Sequence, residues 1–165
     1  MFGSGDTGTL NISATLAHNT RVLKRFSQMG GTLLFRGELP VRERELVILR
    51  VGANAQSVYE FGQHTVIGLD AGITEDEILD LTLPLDQGSW SDEDRDLLLL
   101  ADELCADDCV SDDTWARLAN RWNEAALVEL VVVAGFYRMV SGFLNSAGVQ
   151  LDAGVPGWPE GAFGD

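Results

Sequence analysis

The chain has 165 residues, the length of a single domain, and 45% of them are hydrophobic, which excludes global disorder and is enough for a core without covalent staples. Twenty-six acidic side chains against eleven basic ones give a formal net charge of −15. Nucleic-acid and anionic-membrane partners are excluded on that ground, because both need a basic face.

The first twelve residues, MFGSGDTGTLNI, are Gly-rich and read as a flexible N-terminus. A single domain is expected over 13–150, and a Gly/Pro-rich tail over 151–165. The pattern turns helical over about 13–29, with Leu16, Val22, Leu23, Phe26 and Met29 as apolar positions, and Gly30-Gly31 interrupts it. Pro40 suits the first turn of a new helix, about 40–55. Leu46 to Leu49 are apolar all round, so that helix should be buried. A second helix spans about 57–70 and ends near Gly72. Thr74 to Glu77 form a capping-box pattern that opens a short helix to about Leu81.

Ser91-Asp92-Glu93-Asp94 starts the next helix, with acids where the helix dipole favours them. Ser111-Asp112-Asp113 starts another. Asn123 caps a long apolar helix, about 124–146, which Gly148 ends. Glu129 and Arg138 inside it would each cost about 2.5–3.5 kcal/mol at a bilayer centre, so it reads as a core helix and not a span. The fold expected is all-α, about seven helices around a hairpin of 40–55 and 57–70.

Residues 70–113 hold 16 acids and one base, Arg95, so this stretch carries the whole net charge. Most of these acids read as caps and solvated helix faces. The calcium-loop pattern is absent. Cys105 and Cys109 are spaced C-x-x-x-C with no second half of a zinc site, and read as free thiols in a reducing cytoplasm, since no signal peptide is evident.

Of the two histidines, His18 reads as a surface or packing residue. His64 has more informative company. On a helix, Ser57, Glu60 and His64 lie within about 60° of one another around the axis. They form a polar stripe in an otherwise apolar helix. Glu60 and His64 are four residues apart and can pair directly. A carboxylate beside an imidazole gives a titrating pair near neutral pH. A hairpin turning near 55–57 returns Glu45 towards His64. The pattern fits an internal salt bridge or a catalytic site. A zinc or iron site is a weaker reading, because the repeated Glu-x-x-His pairs of di-iron bundles are missing.

The stretch 39–78 resembles the carboxymuconolactone decarboxylase / alkylhydroperoxidase D-like family. The matching features are R-E-L-V-I-L at 44–49, Tyr59-Glu60-Phe61-x-Gln63-His64, and A-G-I-T-x-x-E-I at 71–78. Residues 135–152 look like the closing helix of single-copy members. The resemblance implies an all-helical fold and a homo-oligomer (dimer, trimer or hexamer). It places Glu45 and His64 at the family's relay positions. It also places Ser57 and Glu60 where the peroxidase branch carries its C-x-x-C pair. Serine and glutamate cannot run a thiolate–sulfenate–disulfide cycle, so a conventional thiol peroxidase is disfavoured.

The decarboxylase branch needs no cysteine and no cofactor. The expectation is therefore a cofactor-independent lyase or isomerase acting on a small cyclic or carboxylated substrate. His64 would be the general acid/base, Glu60 its tuner or a second acid, and Glu45 its orienting group. Arg50, Tyr137 and Arg138 would supply cations and donors to the substrate, and Ser57 and Tyr59 would contact it. Tyr59 fits either a pocket wall or the core. The basic cluster Arg36, Arg42, Arg44 and Arg50 would attract an acidic substrate. A non-catalytic oligomeric binding protein on the same fold is the alternative.

Overall fold

Short polar side chains start most of the helices, because the first amides of a helix have no partner within it. In the computed structural model, which describes residues 9–164, Asn19, Thr74, Ser91, Ser111 and Asn123 each accept a hydrogen bond from an amide in the first turn that follows. Thr74 and Glu77 form the reciprocal capping box. The helices are α1 (Asn11–Leu16), α2 (Thr20–Phe35), α3 (Val41–Asn54), α4 (Val58–Asp70), α5 (Glu75–Asp80), α6 (Asp92–Asp107), α7 (Asp112–Arg121) and α8 (Glu124–Ala147). No strand occurs among the described residues.

The hairpin of α3 and α4 is the centre of the molecule. Every residue from Arg44 to Ala53 is buried. One side of α3 places Val47, Ile48 and Val51 against Leu97 and Leu100 of α6 and Leu130 and Val133 of α8. Another side places Leu46 and Leu49 against Phe61, Ile73, Ile78 and Leu98. Each fully buried aliphatic side chain contributes about 1.5–3 kcal/mol. That burial offsets the cost of carrying Arg44, Glu45 and Arg50 in the same helix, provided each charge has a partner.

Three boundaries differ from the sequence expectation. Helix α1 already includes Asn11 and Ile12, within the stretch expected to be flexible; residues 1–8 of that stretch lie outside the described residues. The helix expected over 13–29 is two helices, split by a 3-10 turn at Ala17–Asn19 where Asn19 caps α2. Gly30-Gly31 does not end α2, which runs on to Phe35. Gly30 is buried with the Phe136 ring close over it, and tertiary packing outweighs a helix penalty of about 1 kcal/mol per glycine.

Helix α8 is the one described helix long and apolar enough to cross a membrane. It packs against α3 and α4, and its charges have local work. Glu129 accepts from the amides of Glu38 (2.7 Å) and Leu39 (3.3 Å), and Arg138 pairs with Asp108. Beyond Gly148, which takes a left-handed φ of 63°, the tail runs back over α4. Trp158 packs on Phe61 at a tilt of 43°, with ring centroids 4.7 Å apart.

Gly62 sets how closely the tail approaches. A Cβ there would overlap the carbonyl oxygen of Pro156 and press on Val155 Cγ1 at 3.1 Å. Gly62→Ala is expected to cost about 1–3 kcal/mol, by the usual penalty of overpacking. Denaturant unfolding checks the loss, and Trp158 fluorescence checks that the tail has lifted. Wild-type stability with an unchanged spectrum would contradict this packing.

Candidate active site

Glu45 and His64 are ten residues or so from the hairpin turn on either side, and the register brings them together. His64 Nδ1 lies 2.5 Å from Glu45 Oε2. On the other side of the ring, Nε2 lies 3.0 Å from Glu60 Oε1, one helical turn away on α4. Glu45 is itself held by Arg44, whose Nε and Nη2 donate to Oε1 at 2.9 and 2.8 Å. Arg44 Nη1 donates to the Leu34 carbonyl at 2.8 Å. The four side chains form one continuous chain of alternating charge, Arg44–Glu45–His64–Glu60.

All four are buried, with exposures of 5%, 0%, 6% and 3% in that order. Burial alone would drive His64 to its neutral form, and that is the largest single influence on it. The hydrogen bonds to Glu45 and Glu60, with their negative charges, outweigh it and raise the His64 pKa to about 9. His64 is therefore an imidazolium at neutral pH, a donor on both ring nitrogens. Glu60 sits in the first turn of α4, where the helix dipole favours a carboxylate.

Glu60 and His64 open onto a cavity of about 190 Å³. A cavity of about 150 Å³ admits benzene, so this one takes a molecule of roughly one ring and a few substituents. Its walls include Leu10, Phe26, Leu34, Ile67, Phe136 and Val140, and its polar lining is Tyr59, Glu60, Gln63, His64 and Tyr137. Tyr137 meets the His64 ring edge-on with centroids 4.9 Å apart. Burial, and then the charges of Glu60 and Glu45, push the Tyr137 phenol pKa up, so the phenol stays neutral. Its hydroxyl has no hydrogen-bond partner among the described residues, which leaves it available to a ligand. The Tyr59 phenol is also raised, by burial and by its bond to Asp152.

The other expected site residues divide. Tyr59 is a cavity wall as well as a buried residue. Ser57 is fully buried two turns above His64, but it does not line the cavity, and its hydroxyl has no protein partner among the described residues.

Arg50 and Arg138 are not at the site, contrary to expectation. Arg50 points away from the cavity and is held by Asp102 at 2.6 and 2.8 Å and by the carbonyls of Leu81 and Leu83. Arg138 pairs with Asp108 and donates to the Leu104 carbonyl. Nor does the expected basic cluster face the cavity as free charge. Arg42 is paired with Glu77 (2.5 Å) and Asp94 (2.9 Å), and Arg44 is inside the relay.

Gln63 in the cavity lining and Asp152 behind it were not assigned by pattern reading, and Arg44, read there only as part of a basic cluster, is the anchor of Glu45. Arg44 is adjacent to Glu45, and Gln63 to His64, so proximity could have flagged both. Asp152 accepts from Tyr59 Oη (2.5 Å) and Gln63 Nε2 (2.6 Å) across about ninety residues, and no local signal marks it. Among the described residues, no group of three His, Cys, Asp or Glu side chains is arranged to hold a metal ion. Cys105 and Cys109 are free thiols around the end of α6 and neither lines the cavity.

Fold and site together define an all-α hairpin protein with a buried carboxylate–imidazole relay. The chain belongs to the carboxymuconolactone decarboxylase family, whose model matches residues 20–103. No functionally curated protein gives a significant match. Among solved structures, the chain is similar to an uncharacterized peroxidase-related protein with an alkylhydroperoxidase AhpD core from Ralstonia eutropha JMP134. That match has a TM-score of 0.78 and 18% identity, covering 87% of this chain and 77% of that one. An uncharacterized peroxidase-related protein from Silicibacter sp. TM1040 gives 0.76 and 18%, covering 86% and 76%. A protein of unknown function from Agrobacterium tumefaciens, described as a candidate AhpD antioxidant defence protein, gives 0.77 and 16%, covering 84% and 96%. At these identities the likeness establishes the fold.

The folded protein holds a proton on His64 that the unfolded chain releases above its ordinary pKa of about 6.5. The stability from this site is therefore full below pH 6.5 and is lost as pH rises towards 9. NMR titration of the His64 ring is expected to show a midpoint near 9, and Glu45→Gln to lower it. A native midpoint at or below 6.5 would refute the relay.

Proposed function

We propose that the protein is a cofactor-independent acid–base enzyme of lyase or isomerase type, acting on a small cyclic carbonyl compound. The observation that carries this reading is a charged Glu45–His64–Glu60 relay opening on an otherwise apolar, ring-sized cavity. Buried titratable groups with displaced pKa values, gathered at a cleft, mark functional sites.

Each side chain then has a role. Glu60 carries the carboxylate nearest the ligand space and accepts a proton from the carbon next to the substrate carbonyl. The Tyr137 hydroxyl donates to the carbonyl oxygen as negative charge grows there. His64 donates to Glu60 and supplies the field that stabilises the enolate. Glu45, anchored by Arg44, sets the imidazole orientation. Return of the proton to a different carbon completes an isomerisation. Departure of a leaving group from the neighbouring carbon completes an elimination.

Among the described residues, no cation faces the cavity without an acidic partner. A substrate carboxylate would meet Glu60 with no counter-ion, so the site favours an uncharged carbonyl over the carboxylated substrate that the family name suggests. The positions matching the peroxidase cysteine pair hold Ser57 and Glu60, which supports acid–base chemistry over thiol redox chemistry. A homo-oligomer is part of the same proposal. An apolar groove between α2 and α8 supports it, with Val22, Met29 and Met139 each about half exposed.

Small cyclic ketones, enones and lactones incubated in D2O provide the test. Protein-dependent deuterium exchange next to the carbonyl, read by NMR, is expected for at least one class. Glu60→Gln is expected to slow it by about 10²–10⁴-fold, the usual contribution of a general base. Tyr137→Phe should slow it by a smaller factor. Exchange that persists at full rate in Glu60→Gln would reject the assignment. Saturable ligand binding without exchange would favour a non-catalytic binding protein.

A further inference from the structure

One wall of the cavity is the entry to α1, which the segment after α8 holds in place. Leu10 and Ile12 line it from the entry to α1. Leu10 is also half exposed, and no other lining residue is as open to solvent, so it marks the boundary between cavity and solvent.

This boundary is pinned by one carboxylate. Asp152, which follows α8, accepts from the Asn11 amide at Oδ1 (2.9 Å). Its Oδ2 accepts from the Tyr59 hydroxyl (2.5 Å) and from Gln63 Nε2 (2.6 Å). The Tyr59 oxygen in turn accepts from the Ile12 amide (3.3 Å). The Asn11 side chain donates to the carbonyls of Gln150 (3.0 Å) and Leu151 (3.4 Å). Three parts of the chain thus converge on Asp152.

We propose that Asp152 is the latch of an entrance gate: Leu10 to Ile12 swing away when their bonds to the 150–152 segment open, and a small uncharged molecule enters over Glu60. Helix α1 has six residues, too few to be stable alone, so its docking rests on these bonds together with the packing of Ile12 and Leu16. A short segment at a solvent boundary belongs to the low-stability end of the fold and opens without global unfolding. The gate is mounted on the same helix as the relay, since Tyr59 precedes Glu60 and Gln63 precedes His64. Opening frees the Tyr59 oxygen from the Ile12 amide, while Tyr59 and Gln63 stay anchored on Asp152. Asp152 acts here as a positioning residue, and the proposal rests on the cavity being the ligand site.

The probe is 4-fluoroacetophenone, a neutral carbonyl compound of ring size, followed by fluorine NMR exchange on the full chain. Amide hydrogen exchange at Asn11 and Ile12 is read in parallel. Asp152→Ala is expected to speed exchange of those two amides about tenfold, and α3 amides should stay protected. The probe's association and dissociation rates should rise together, leaving Kd within about threefold. Asn11→Ala cuts the latch from the solvent side without touching the core and should act in the same direction, which covers a failure of Asp152→Ala to fold. A merely structural role would lower Tm and leave the association rate unchanged. Probe binding at unaltered rates in both variants overturns the gate alone. No binding to any of the proteins, wild type included, overturns the ligand cavity and the gate with it.

Discussion

The structure depends on burying four charges in a row without leaving one unpaired. An isolated ion in a protein interior costs several kcal/mol even after relaxation. The chain Arg44–Glu45–His64–Glu60 avoids that cost by alternation: each charge has an opposite neighbour within about 3 Å, and the sum is zero. Removing one member of such a buried set typically costs 3–5 kcal/mol, because its partner is left uncompensated. The hairpin register follows from this constraint. A slip of one residue would turn Glu45 away from His64 and break the row into two separate pairs.

The same constraint explains the character of the cavity. Only one end of the charged row, Glu60 with the edge of His64, reaches the ligand space, and the remaining walls are mostly aliphatic and aromatic. A low-polarity space strengthens whatever field the relay projects into it. The net charge of −15 has little part in this. Much of the acidic stretch 70–113 lies outside the cavity and serves as caps and as counter-ions. Asp94 and Glu77 hold Arg42, Asp102 holds Arg50, and Asp96 holds Arg117. The arginines are thereby withdrawn from the ligand space, which leaves the site without a free cation.

Helix starts were legible because capping is local: a Ser, Thr or Asn side chain meets an amide two or three residues later, whatever the rest of the chain does. The Glu60–His64 pair was legible for the same reason, being one helical turn apart. Glu45 was legible through hairpin symmetry and through the family resemblance. Gly30-Gly31 misled because helix propensity is a weak preference that the packing of α2 overrides. Arg50 and Arg138 misled because an arginine's position on a helix does not say which acid it will meet.

The sequence by itself determined the all-α class, the caps and the i,i+4 acid–imidazole pair. These follow from side-chain chemistry within a few residues, where backbone geometry is already known. Tertiary structure decided what lay across distance. It chose Asp102 for Arg50, 52 residues away, and so emptied the site of the cation that spacing suggested. It joined Asp152 to Tyr59, 93 residues away, and so tied the start of the tail to a wall of the cavity. It raised the His64 proton affinity, because the packed hairpin completes a carboxylate on each side of the ring and their attraction outweighs the cost of burial.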